Sequence, residues 1–315
     1  YLTYAKYCMD YLDSLTENPY YENMLIDASY IATMMNAELG TNYDASKYIA
    51  WITGKNSAVR NWGGVNYSQD GRDVYGLTGE ANGDRQYAFF FNSIYPMTSI
   101  LPTAKYDPSY AKAAGKWALN IASSARYFLP SEWDGKNQSN PEFKGQIEEN
   151  VLAYEGFKKY SQPGQDGPNV TENGIHFMGS GDAMMNATSG WNAGKDVTNL
   201  GVYGSVYTGV IGALVEKTNV ENILKLDCNK TDYYQNSMYP TYLYYNPYDE
   251  AKMVEIDLGG DACDVFDSVT GVYLMKNVSG KQSFKLLADS ARVLVLAPAN
   301  STVTVENNTT KINGT

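Results

Sequence analysis

Histidine occurs once in this 315-residue chain, at His176, and cysteine three times, at Cys8, Cys228 and Cys263. So few and so scattered, these residues exclude a His-based or CxxC metal centre and a disulfide framework. At most one bridge can form, and Cys228 with Cys263 is the candidate pair. A Gly-x-Ser-x-Gly nucleophile elbow is missing, as is a glycine-rich phosphate loop of either usual spacing. Basic side chains are outnumbered, 24 against 35 acidic, for a formal charge of -11. Binding of nucleic acid through phosphate neutralisation is therefore excluded, and anionic membranes are poor partners. No apolar run reaches the roughly 18 to 20 residues that cross a bilayer, which excludes membrane insertion by a helix. The chain opens on Tyr-Leu-Thr-Tyr, without Met or a signal-peptide pattern, as expected of a mature or excised piece of a longer protein.

What the chain has in excess is tyrosine, 28 residues against 9 Phe and 5 Trp. Tyrosine offers a flat apolar face with a polar tip, which suits sugar surfaces and wet interfaces alike. The length is sufficient for one large domain or two ordinary ones with a substantial core. Asn-x-Ser/Thr sequons recur from Asn66 to Asn313. In a eukaryotic secreted protein they would mark glycosylation; in an Asn-rich bacterial chain, the favoured reading, they are by-products of composition.

The most informative stretch runs from Asn61 to Arg85. It carries Asp70, Asp73, Glu80 and Asp84, together with Arg72, Arg85, six glycines, Trp62, Tyr67 and Tyr75, and it precedes the apolar run Gln86 to Leu101. A glycine-rich loop brings backbone and acids close to a ligand, so the stretch reads as a site on a scaffold. Glycosidic bonds are cleaved by two carboxyl groups roughly 5 to 9.5 Å apart, and Asp73 with Glu80 is the pair expected to face one cleft. Trp62, Tyr67 and Tyr75 supply the partial burial that raises one carboxyl. The plainer reading makes these acids caps of turns and helix starts. Asn66-x-Ser68-x-Asp70-Gly71 opens like an EF-hand, but its twelfth position is Leu77, so the match fails and only an irregular oxygen-ligand calcium site stays open.

Helical periodicity dominates before residue 235 and strand alternation after it. Helices are expected over Leu2 to Leu15, Tyr20 to Leu39, Ala45 to Trp51, Asp84 to Leu101 with a break at Pro96, Tyr110 to Tyr127, Glu142 to Tyr160 and Tyr203 to Val215. Asn18-Pro19 and Asp107-Pro108 have the form of helix starts. Residues 161–199, rich in Gly, Asn, Asp and Ser, read as a long loop. From Tyr239 the alternating runs Lys252 to Leu258, Asp264 to Asp267, Val272 to Met275, Ser283 to Leu287 and Arg292 to Leu296 predict an antiparallel sandwich, with Thr302 to Val305 as an edge strand.

Three further positions stand out. Glu148 and Glu155 are seven apart on the expected helix 142–160 and share a face. A solvated face is the usual fate of such charges, yet Glu155 beside Gly156 can project from a helix end into a cleft. His176 has a structural hydrogen bond as its plain reading and a proton donor or charge neutraliser as its functional one. Trp191, in Ser-Gly-Trp-Asn-Ala-Gly, reads either as a sugar-stacking ring or as a loop anchor.

Helical hairpins with acidic, Gly-rich loops, followed by strands reading Asp264-Val-Phe-Asp-Ser-Val-Thr-Gly271 and Ala288-Asp-Ser-Ala-Arg-Val-Leu-Val-Leu296, resemble bacterial carbohydrate-active proteins of α/α-toroid architecture with a C-terminal β-domain. The segment Gln69 to Glu80 is similar in style to proteins of that kind. The resemblance implies an α+β chain: an α/α-toroid-like helical domain over residues 1–235 and a β-sandwich over 236–315. A complete six-hairpin toroid needs more helix than residues 1–235 supply, so either an upstream domain of the same protein completes it or the toroid is partial. It implies a secreted or cell-surface bacterial glycoside hydrolase acting on a polysaccharide or oligosaccharide, with no cofactor. Asp73 and Glu80 are the expected catalytic pair, with Glu155 the substitute. Trp62, Asp70, Arg72, Tyr75, Asp84, Arg85, His176 and Trp191 are the expected substrate contacts. The alternatives are a polysaccharide lyase with a Tyr base, His176 and arginines, and a non-catalytic glycan-binding or structural module.

Overall fold

The structure, a computed structural model, describes residues 1–54, 62–69, 72–80, 87–126, 155–158, 176–177, 206–233, 239–306 and 309–314. The chain divides into two compact units, interleaved along the sequence. Tyr1–Ile26, Ser46–Pro96 and Asn120–Ile211 make the first; Asp27–Ala45, Met97–Leu119 and Gly212–Thr315 make the second.

In the first unit, helix α1 (Leu2–Ser14) buries Met9 and ends on extended Leu15. Its last turn is tied to helix α3 (Ala45–Thr53): Lys47 Nζ donates to the Asp13 carbonyl at 2.6 Å, and the Tyr48 hydroxyl donates to the Asp13 carboxylate at 3.1 Å. Asn18 does not start a helix. Its amide donates to the Trp51 carbonyl at 2.8 Å while its oxygen accepts from the Tyr20 N–H at 2.9 Å, a local bracket that competes with helix formation. With Glu22 at φ 52° the following residues turn, and helix begins only at α2 (Ala28–Leu39), eight residues later than expected.

The acidic stretch is a β-hairpin rather than a loop. Strands β1 (Trp62–Gln69) and β2 (Arg72–Glu80) pair antiparallel from Trp62↔Glu80 to Gln69↔Arg72. The two residues between them, Asp70 and Gly71, form a dipeptide with strong hairpin preference. Between Val65↔Leu77 and Tyr67↔Val74, β1 advances two residues and β2 three; Gly76 at φ 81° absorbs the extra one as a bulge.

Strand β3 (Tyr87–Phe89) and the short helix α4 (Phe90–Ile94) occupy the start of the expected helix 84–101. The Ser93 hydroxyl accepts from the Thr78 N–H at 3.0 Å and donates to the Thr78 carbonyl at 3.1 Å, doing for β2 what a neighbouring strand would do. Strands β4 (Glu155–Lys158) and β5 (His176–Phe177) complete an antiparallel sheet in the order β1-β2-β3-β4-β5. Residues 155–158 are thus strand where helix was expected; the rest of that expected helix up to residue 154, and the loop 161–199 apart from β5, lie outside the described residues.

In the second unit, α2 packs on helix α5 (Met97–Tyr106) through a Ser29–Thr103 hydroxyl pair at 3.1 Å and a hydrogen bond from Ser99 to Asp27. The break at Pro96 falls as expected, but Pro102 sits inside α5. Proline has no N–H to give the carbonyl four residues back, and the Thr231 hydroxyl donates to that Thr98 carbonyl at 2.7 Å instead. Next along the chain, the buried Asp232 carboxylate accepts from Tyr30 at 2.8 Å, Lys105 at 2.6 Å and Tyr106 at 2.9 Å. Asp107 caps the next turn as expected, accepting from the Ser109 N–H at 3.0 Å, and leads into helix α6 (Ala111–Ala125).

After helix α7 (Val206–Leu214) the regular elements among the described residues are all antiparallel strands: β6 (Val215–Lys217), β7 (Leu224–Asp227), β8 (Thr241–Asn246), β9 (Lys252–Asp257), β10 (Cys263–Asp267), β11 (Val272–Val278), β12 (Lys281–Leu286), β13 (Ser290–Pro298), β14 (Val303–Glu306) and β15 (Thr309–Ile312). A six-stranded sheet runs β11-β10-β13-β8-β7-β6, beside two-stranded ribbons β12-β9 and β14-β15. Val254, Ile256, Phe284 and Leu286 of the first ribbon share a core with Tyr244, Val265 and Leu294 of the sheet. Gly115 of α6 lies so near β8 that an added Cβ would meet Tyr245 Cβ at 2.5 Å.

Two stability measurements test this packing. Asp232→Ala strands Lys105 and two phenols and is expected to cost about 3–5 kcal/mol by urea unfolding. Gly115→Ala gains about 1 kcal/mol of helix propensity but overpacks against Tyr245 at about 1–3 kcal/mol, so a net loss of stability is expected; a gain would contradict the close approach.

Candidate functional site

The sheet β1–β5 gathers several of the expected site positions, and its hydrogen-bond register says how. Directly paired residues share a face, as do alternate residues along a strand. Trp62 pairs with Glu80, Glu80 with Tyr87, and Phe89, two residues on from Tyr87, pairs with Glu155. Positions 62, 80, 87, 89 and 155 therefore lie on one face. Two strand spacings of about 4.8 Å and one two-residue step of about 6.7 Å put the Cα atoms of Glu80 and Glu155 about 12 Å apart.

Asp73 is elsewhere. It belongs to the same strand as Glu80, opposite Ser68, and seven extended residues separate the two by roughly 20 Å. That exceeds the span of a carboxyl pair, so the convergence expected of Asp73 and Glu80 gives way to the closer approach of Glu80 and Glu155. Arg72 pairs with Gln69 beside the hairpin connection, and His176 pairs with Lys158 on the edge strand β5. Asp70, Asp84, Arg85 and Trp191 lie outside the described residues.

Trp62 was expected to stack on a sugar, and the fold encloses it instead. Its ring is 7% exposed, with the edges of Tyr20 and Tyr21 against it at centroid distances of 6.2 and 5.6 Å. It is a packing residue that fixes the end of β1. Tyr75, at the bulge, is 41% exposed, and its carbonyl accepts from Ser124 Oγ at 3.1 Å, so its ring remains available to solvent while its backbone is held.

Tyr20 is a feature that residue spacing did not reveal. It is fully buried, and its hydroxyl comes near the Thr78 side chain without making a well-formed hydrogen bond among the described residues. Burial pushes its phenol well above the ordinary range, while Thr78 works in the opposite direction.

Among the described residues no group of three or more His, Cys, Asp and Glu side chains is placed to hold a metal ion. Cys228 and Cys263, the candidate disulfide pair, are free thiols, as is Cys8. No described helix is long and apolar enough to cross a membrane.

No protein-family model matches the chain, and no curated protein matches its sequence. Among solved structures it is similar to an Anoxybacillus alpha-amylase described as giving insight into a new glycosyl hydrolase subclass. The two share 15% identity and a TM-score of 0.21 over 27% of this chain and 18% of the amylase chain. An overlap of that extent is too slight to transfer an activity.

The tyrosines yield a pH prediction. Burial lifts Tyr20, Tyr106 and Tyr244 above the ordinary phenol range, with Asp232 adding to the effect at Tyr106. Burial and then the hydrogen-bonded Asp289 raise Tyr245 to about 12. The unfolded chain releases these protons near pH 10 and the folded chain holds them. Their contribution is thus intact below about pH 10 and is lost as pH rises towards 12 and beyond. Tyrosinate absorbance should appear in two stages, exposed rings first and these four together with unfolding; a single stage near pH 10 in the folded protein would refute the assignment.

Proposed function

We propose that this chain is a carbohydrate-active enzyme that hydrolyses a glycosidic bond with Glu80 and Glu155 as its two carboxyl groups. One observation carries the reading: the sheet register sets these glutamates on a common face, two strands apart, at a Cα separation of about 12 Å. That separation is compatible with the roughly 6.5–9.5 Å between carboxyl groups that leaves room for a water molecule, the arrangement of inverting glycosidases. One carboxylic acid protonates the leaving oxygen, and the other, as carboxylate, takes a proton from the attacking water.

Asp73, roughly 20 Å along β2 and at a position on the same face as Glu80, then serves a sugar unit remote from the scissile bond, which favours a polymer over a disaccharide, while its neighbour Arg72 falls on the opposite face of the strand. Tyr75 supplies an exposed ring between the two regions. His176, Asp70, Asp84, Arg85 and Trp191 belong to the same reading as partners for sugar hydroxyls or an acidic group. So do a helical part forming a portion of an α/α toroid, a C-terminal accessory β-sandwich, and a place outside the bacterial cell.

The test is turnover on a panel of plant and microbial polysaccharides. Glu80→Gln and Glu155→Gln are each expected to lower the rate about 10²- to 10⁴-fold with melting temperatures close to the parent's. Parent-like turnover in either variant would remove the pair from the chemistry. An ultraviolet-absorbing unsaturated product would instead assign the chain to the lyases.

A further inference from the structure

Helix α1 presents an aromatic stripe opposite its buried face. Tyr4, Tyr7 and Tyr11 are 74%, 62% and 69% exposed and follow the i, i+3, i+7 spacing that places side chains on one side of a helix, while Met9, half a turn round from them, is buried. The rings are spread over about 10.5 Å of helix axis, and the Tyr4 and Tyr7 rings meet edge to face at 6.4 Å.

An exposed aromatic row in water calls for an occupant, and size and charge narrow the choice. Three tyrosines of that exposure offer on the order of 400 Å². A stable second copy of the chain would need about 800 Å² on each partner, twice what the row itself offers, which favours a narrower occupant. Stacking on nucleic-acid bases requires a basic groove alongside; residues 1–15 hold one lysine, Lys6, against two aspartates, Asp10 and Asp13, and Lys6 pairs with Asp10 at 2.9 Å. A narrow, elongated, uncharged partner with flat apolar faces and hydroxyl edges fits both limits.

We propose that the α1 tyrosine row is a surface-binding site for a neutral polysaccharide chain, separate from the β1–β5 sheet. The inference rests on the carbohydrate-directed reading of the chain for its ligand class, and on the exposure, spacing and charge of α1 for its location. Sugar rings stack on the tyrosine faces through their C–H surfaces, and the phenol hydroxyls exchange hydrogen bonds with sugar hydroxyls.

Affinity electrophoresis through gels containing amylose, xylan, mixed-linkage β-glucan or galactomannan tests it on the full chain, with hydrolysis of the same polymers assayed in parallel. The parent should be retarded by at least one of them. A Tyr4→Ala/Tyr7→Ala/Tyr11→Ala variant, whose alanines favour helix, should lose at least tenfold in affinity with its melting temperature unchanged. The site is overturned if no neutral polymer retards the parent, if the triple variant is retarded equally, or if sedimentation shows a parent dimer that the substitutions dissociate. Equal retardation with hydrolysis intact would sink the α1 site and leave the glutamate pair standing; lost retardation with no hydrolysis by the parent would do the reverse.

Discussion

The relation between Glu80 and Glu155 on which the proposed chemistry rests depends on the backbone register of one antiparallel sheet. Side chains alternate between faces with a period of two, so a slip of one residue between β3 and β4 would carry Glu155 to the face opposite Glu80. The register is held by features near its central strands. The Thr78–Ser93 exchange fixes α4 against β2, the Gly76 bulge adjusts the hairpin, and the enclosed Trp62 pins the far end of β1. Trp62, although enclosed, therefore bears on the proposed pair, because it belongs to the strand end paired with Glu80.

The second unit is held differently, by buried carboxylates and amides that each gather several donors or acceptors. Asp232 joins α2 and α5 to the chain after β7. Asp264 accepts from the backbone N–H groups of Asn277 and Ser301, and Asp267 from that of Val269 and from the side chains of Thr270 and Arg292. Asn246 donates to the carbonyls of Glu250, Leu286 and Leu287 and accepts from the Tyr248 N–H. A buried polar group so satisfied specifies one arrangement, because any other leaves a desolvated charge or dipole unpaired.

The strands after residue 239 were legible in the sequence because they are local patterns. In β9, Val254 and Ile256 are buried while Met253, Glu255 and Asp257 are exposed, which is the alternation the residues display. The break at Pro96 and the Asp107 cap are local signals of the same kind. The hairpin β1–β2 was legible too, through Asp70-Gly71, but the density of glycine and charge around it gave a loop instead. The approach of Glu80 and Glu155 was not legible: it depends on Phe89 pairing with a residue 66 positions further on, and no window of sequence carries that information. Nor could Trp62 be read as enclosed, since an indole among glycines looks the same whether or not Tyr20 and Tyr21 pack against it.

The proline inside α5 makes a local element depend on a remote one. A hydroxyl 133 positions further along the chain donates to the Thr98 carbonyl, the group that the proline ring cannot serve. Helix α5 thus carries a seam in its own backbone ladder that is met by a distant residue, one position before the Asp232 that gathers Lys105 and Tyr106 of the same helix.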